Sequence, residues 1–205
     1  MNKIQATSIL QRTFLKYIIF RNVHIVPSSI QTKDWRKNQE WYHGGKSNEC
    51  EIYQRNLIEK ITRRTCKKTN ERIHLLTKNI EMKTNPLKQV DGFEYTEDFD
   101  GRIELNDKII YFNMKMICDA GGAQTRTCRE VYHFISSQYE YFIHHGCDLC
   151  KESNKIYFVN ILDGDTSYKH MNKFLFLKKK YANQPNIFVG DMHEFRIWWL
   201  RKMIL

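Results

Sequence analysis

The chain has 205 residues, 41% of them apolar and 13% aromatic, with only 3 Pro and 9 Gly, which is enough to bury one core without staples and excludes long disordered arms. Its 33 Lys and Arg outnumber 23 Asp and Glu, for a net charge of +10 at pH 7. Nucleic acid is therefore the first partner class to expect, with a basic surface of no specific use as the alternative.

The first element in chain order runs from Ile4 to Phe20, where Ile9, Leu10, Phe14, Leu15, Ile18 and Ile19 recur at helical spacing and predict an amphipathic helix. Gln11, Arg12 and Lys16 interrupt it well short of a bilayer's thickness, so no membrane segment is expected. From Pro27 to Gly45 the chain is polar and holds Trp35, Trp41 and Tyr42 among Lys33, Arg36 and Lys37. Such aromatics either stack on bases or anchor a loop to the core. A long helix is predicted from Asn48 to about Leu76, with Ser47 or Asn48 as N-cap and Glu49 and Glu51 in its first turn. Within it lies the densest positive cluster, whose Arg63, Arg64, Lys67 and Lys68 are candidate phosphate contacts or simply a solvated face.

After Asn85-Pro86 the pattern shifts to short apolar alternations. Phe93–Tyr95, Asp100–Leu105 and Lys108–Cys118 predict two or three strands, the last two joined by a turn at Asn106-Asp107. Ala120-Gly121-Gly122-Ala123 is a turn into a helix over Gln124–His144, and Lys155–Leu162 is an apolar run expected of a strand buried on both faces. Asp163-Gly164-Asp165 closes it, followed by a basic helix at Met171–Tyr181, a short strand at Asn186–Val189 and a last helix opened by Asp191. The expected fold is a single domain over residues 1–205 of the α/β (α+β) class. Residues 1–80 are predicted to be mainly helical, and 86–205 to form a mixed central sheet flanked by helices.

Chemistry concentrates between Glu97 and Arg126. Asp100 precedes the hairpin turn, and the strand beyond carries Asn113-x-Lys115, so acid and lysine can point into one cleft. Phosphodiester cutting needs those types: oxygen ligands for a hard cation, and a cationic group to orient water or steady the charged transition state. Taken alone, Asp100 is also a turn carboxylate capping amides. A lysine between Met114 and Met116 on a buried strand is less ordinary, since an ammonium is costly to bury without a partner.

An acid before a hairpin, an Asn-x-Lys strand end, a Gly-Gly turn into Gln-Thr-Arg and a later strand ending in Asp-Gly together resemble the restriction-endonuclease-like superfamily with the PD-(D/E)XK signature. Within it the arrangement is most similar to type II restriction enzymes that cut GATC, over about residues 91 to 195. The resemblance implies a restriction-endonuclease-like core that cuts double-stranded DNA with Mg2+ as a homodimer, two-fold related like its palindromic site. It places Asp100 as metal ligand, Lys115 as the catalytic lysine, and Asn113 where the family has Asp or Glu. An amide oxygen still ligates a cation but brings no charge and cannot act as a base. Glu97, Asp98, Asp119, Glu49 or Glu51 are candidates to compensate, and the Met114 carbonyl could supply another oxygen.

Gln124, Thr125, Arg126 and Arg129 open the helix after the Gly-Gly turn, a natural phosphate seat, and are candidates for DNA contact or for capping and surface charge. Asp163, Asp165 and Lys169 are lesser candidates, the acids as helix caps. His144, His145, Cys147 and Cys150 have zinc-like spacing, but no second pair follows them. The six cysteines follow no secretory signal and read as reduced thiols in an intracellular (cytoplasmic) compartment, while the Lys- and Asn-rich composition suits an A·T-rich microbial or viral genome. A catalytically degenerate DNA-binding protein and a repair or recombination nuclease are the competing functions.

Overall fold

The computed structural model describes residues 32–44, 48–82, 94–119, 121–146, 155–181 and 184–204. The helix expected at Ile4–Phe20, and Cys147 and Cys150, lie outside them.

The core is a four-stranded mixed sheet of β3 (Gly101–Leu105), β4 (Lys108–Met116), β5 (Ile156–Asp163) and β6 (Ile187–Gly190), in that spatial order. β3 and β4 form an antiparallel hairpin, helped at its turn by Asn106 with φ 55, a conformation that Asn tolerates well. β4 pairs with β5 and β5 with β6 in parallel, and parallel neighbours need crossovers. These are α3 (Gly122–His145) and α4 (Asp165–Lys180), with α5 (Met192–Trp199) following β6. The continuous apolar run of β5 has its explanation in this position: it lies between two strands and is covered on both faces.

Alternation along the strands divides the core. Ile110, Phe112, Met114, Val159 and Ile161 face α2 (Glu49–Thr62) and α5, packing with Leu57, Ile58, Ile61, Phe195 and Trp199. Tyr111, Phe158 and Leu162 face α3 and α4, packing with Phe134, Ile135, Phe142, Phe174 and Leu177. A mixed sheet flanked by helices is thus the architecture, as the alternation of apolar runs predicts. Among the described residues no helix is long and apolar enough to cross a membrane.

The basic helix expected at Met171–Tyr181 begins earlier, at Asp165, and a second difference is larger. The helix predicted to continue to about Leu76 ends at Thr62, where Arg63 takes the left-handed conformation (φ 57) and its N–H caps the Glu59 carbonyl. The chain then runs along the outer edge of β3, with Lys67 and Arg102 exchanging backbone hydrogen bonds of 2.9 and 2.7 Å. Beyond it β1 (Glu71–Ile73) and β2 (Ile80–Met82) form a small antiparallel sheet, so strand structure begins before Asn85-Pro86. The edge of β3 satisfies its backbone groups with this segment, and that satisfaction outweighs the helix propensity of the residues after Thr62.

The candidate active-site cleft

A cleft of about 460 Å³ opens at the C-terminal end of β4, between the first turns of α2 and the first turns of α3. Glu51 and Gln54 come from α2, Lys115 and the Met114 and Met116 flanks from β4, and Gln124 and Thr127 from α3. The short α1 (Thr32–Lys37) contributes Arg36. Carboxyl ends of parallel strands are the usual place for such sites in open α/β sheets.

The hairpin brings Asp100 and Lys115 together as their positions predict. Lys115 Nζ lies 3.7 Å from Asp100 Oδ1 and 3.2 Å from Glu97 Oε2. Asp100 Oδ2 accepts a 2.6 Å hydrogen bond from the Met114 N–H, which fixes the carboxylate across the hairpin and leaves Oδ1 toward the lysine. Burial pushes the Asp100 carboxyl up to about 6; Lys115 and the Met114 N–H oppose the shift, and Glu51 and Glu97 add to it. For Lys115, burial works against the charge, but Asp100, Glu97 and Glu51 outweigh it and hold the ammonium above its ordinary range. The cleft thus holds a cation among carboxylates that compete for it.

The other candidate acids separate by what holds them. Glu51 lines the cleft and pairs with Arg55, whose Nη2 also donates to the Asp100 carbonyl at 2.8 Å. Glu49 is buried beside the His43 N–H, Asp98 pairs with Arg72 at 2.6 Å, and Asp119 pairs with Lys33 at 2.6 Å. Asp163 is fully buried and joins three elements, accepting from Gln54 Nε2 at 2.6 Å and from the Met192 N–H at 3.0 Å. Asp165 accepts from the Asp119 N–H at 3.2 Å and closes the loop after β4, whereas Lys169 is exposed on α4.

Asn113 is not brought to the cleft lining. It is 1% exposed, and its Nδ2 donates to Asn160 Oδ1 at 3.0 Å, in a network that Gln138 of α3 completes. Met114 does line the cleft, with its N–H committed to Asp100.

The candidate DNA contacts fall on separate surfaces. Gln124 lines the cleft, while Thr125, Arg126 and Arg129 are exposed on the first turns of α3. Arg63, Arg64, Lys67 and Lys68 are exposed along the β3 edge, where they line a second concavity of about 620 Å³ with no ion pair to any described residue. His144 and His145 end α3 side by side, 5.0 Å apart.

Two contributors escape sequence reasoning. Arg36 sits in the polar stretch whose aromatics drew attention, but Trp41 is used for anchoring, stacked on Tyr53 of α2 at 4.4 Å, and it is Arg36 that reaches the cleft wall. Gln54 is buried on α2 one turn after Glu51, and its Oε1 has no hydrogen-bond partner. Spacing of i and i+3 from Glu51 was its available signal. Cys50 and Cys118 also line the cleft; burial raises the Cys50 thiol and pushes Cys118 up to about 12, which makes both poor nucleophiles.

Among the described residues no group of three or more His, Cys, Asp and Glu side chains is placed to hold a metal ion. Magnesium, however, is usually held by one or two carboxylates with water filling the rest of its shell. Asp100 and Glu51 meet that demand with oxygen donors only, and the orphaned Gln54 Oε1 beside them adds a neutral one. The donor chemistry fits a hard cation better than zinc.

No protein-family model, curated protein or solved structure matches this chain.

Proposed function

We propose that the chain is a magnesium-dependent deoxyribonuclease of type II restriction character, hydrolysing phosphodiester bonds of double-stranded DNA as a homodimer. The observation that carries this reading is Lys115, an ammonium held 3.7 Å from Asp100 and 3.2 Å from Glu97 in a concave site at a strand's end. The net charge of +10 supports a polyanionic substrate.

In this mechanism the negative charge of Asp100, with Glu51 and the Gln54 carbonyl, would hold the cation. A bound magnesium ion would supply positive charge against the oxygens of the crowded phosphorus. Lys115 donates to the attacking water or to a non-bridging phosphate oxygen, and its charge steadies the transition state more than the ground state. Arg36, also at the cleft, offers a second cation, and the amides opening α3 suit a flanking phosphate. Gln124, at the cleft side of that helix, would meet a base edge.

The second reading is a DNA-binding protein on a degenerate nuclease fold. It is favoured by Asn113, which supplies no charge and is engaged with Asn160 outside the cleft lining. Incubation of the protein with unmethylated plasmid and Mg2+ separates the two. Discrete fragments, lost with EDTA and reduced at least about a hundredfold in Lys115→Ala, support the nuclease. Salt-sensitive binding with no cutting by any divalent ion supports the second reading, and a smear without fixed ends supports a repair or recombination nuclease.

A further inference from the structure

A groove of about 600 Å³ lies between α3 and α4, separate from the cleft. Its floor is apolar, with Phe174 fully buried, and its rim carries Tyr132 and Phe176, the latter 56% exposed. A phenylalanine left that open beside an apolar floor marks a surface built to be covered.

The rim also says what covers it. Arg129 from α3 and Lys173 from α4 are both exposed at the groove, and neither forms an ion pair with a described residue. His133 and His170 add ring nitrogens that can donate and accept, and among the described residues no Asp or Glu lines the groove. Unopposed cations around an aromatic and apolar centre call for a flat aromatic ligand with negative charge attached. A second copy of this chain would bring more positive charge to a positive rim, since the net charge is +10.

We infer that this groove receives an unpaired nucleotide of a DNA strand, its base against Phe176 and Tyr132 and its phosphate between Arg129 and Lys173. The volume suits one such nucleotide rather than a duplex, whose bases are already stacked on each other. Stacking on an aromatic side chain tolerates every base, because each has a π-face.

The position relative to the cleft gives the inference its sharper form. Gln124 and Thr127 face the cleft while Thr125, Cys128 and Tyr132 face the groove, so the first turns of α3 form the wall between them. A helix with its side chains is about 10 Å across, a span of one or two nucleotides. A strand with its scissile phosphate beside Lys115 therefore reaches the groove one or two positions from the cut. The spacing from the cut rests on the proposed cleavage at Lys115, whereas occupancy of the groove rests only on DNA being the partner.

The test uses Lys115→Ala protein, so that cleavage plays no part, and fluorescein-labelled oligodeoxythymidine of twelve nucleotides. A matched strand with abasic sites throughout carries the same phosphates without bases. Anisotropy should show the base-bearing strand binding at least about fivefold tighter than the abasic one. Phe176→Ala should abolish that preference and Phe176→Tyr should keep it, while Lys173→Ala weakens both strands. Phe176 is exposed, so neither variant threatens folding. Equal binding of the two strands, or a preference that survives Phe176→Ala, overturns the inference. A dimer that Phe176→Ala converts to monomer in sedimentation also overturns it, assigning the groove to a second copy. Plasmid cleavage by the wild-type chain is scored separately, so failure of the nuclease reading and failure of the groove are distinct results.

Discussion

Asn113 donates a 3.0 Å hydrogen bond to Asn160 across the paired strands β4 and β5, while Lys115, two residues later, faces the carboxylates of the cleft. Two alternate residues of one strand thus serve different ends: the first joins the sheet to Gln138 of α3, the second sets an ammonium among the cleft carboxylates. Asn113 is a core amide, so its replacement has structural consequences first.

Asn113→Asp should therefore destabilise the fold without creating activity. It would place a carboxylate at a 1% exposed position and delete the donor to Asn160, at a cost of about 2–4 kcal/mol near neutral pH. Urea unfolding at pH 7.5 measures the loss, and part of it should return at pH 5 as the acid takes a proton. A variant as stable as wild type with raised Mg2+-dependent cleavage would sink this account.

Stability should depend on pH through Asp100. Its folded-state carboxyl sits at about 6, above the ordinary 3.8, because burial disfavours the charge. Protonation is therefore easier in the folded chain, so this residue costs stability above pH 6 and ceases to do so as pH falls toward 4. About two pK units correspond to roughly 3 kcal/mol. Asp100→Asn in EDTA should accordingly be more stable than wild type at pH 8 and no more stable at pH 4. Added Mg2+ should raise the melting temperature of wild type at pH 8 but not that of Asp100→Asn.

Salt should act through the edge of β3. Arg63, Arg64, Lys67 and Lys68 are exposed and unpaired among the described residues, the condition for phosphate contact with counterion release. Arg63→Ser or Lys67→Ser should each flatten the slope of log K against log salt by about 0.9 for duplex DNA, with little change in sequence preference. An unchanged slope in both variants would make the strip a solvated face.

Gly164→Ala tests the loop that holds the cleft open. Gly164 has φ 103, and a Cβ there would stand 2.3 Å from the Ile117 carbonyl oxygen, which accepts from the Thr166 N–H at 3.0 Å. Strain and contact together should cost more than about 2 kcal/mol. Cleavage should fall with stability, because the Ile117 backbone that the new Cβ would displace belongs to the loop that carries Cys118 and leads into α3. Thermal melting and plasmid digestion of the same preparation would check both.

Strands β4 and β5 and the pair Asp100 and Lys115 were legible because the signals are local: a long apolar run, and a lysine set between methionines. The end of α2 was not. No Gly or Pro marks Arg63, and Ile73 and Leu76 continue the apolar pattern of the residues before Thr62 although Ile73 belongs to β1 and Leu76 to the turn after it. The place of Asn113 depends on Asn160, 47 residues later, and that of Glu51 on how α2 docks. Such facts arise only from tertiary packing, which a periodicity cannot register.

The bond between Gln54 and Asp163 spans 109 residues of chain. Closing a loop of that length carries an entropic cost, and Asp163 stands where α2 meets it only through the pairing of β5 with β4. The cleft is thus complete only once β5 is in place. A nascent chain released only as far as β4 holds Asp100 and Lys115 but lacks the wall that confines them, so any cutting power arrives after the body of the protein has folded.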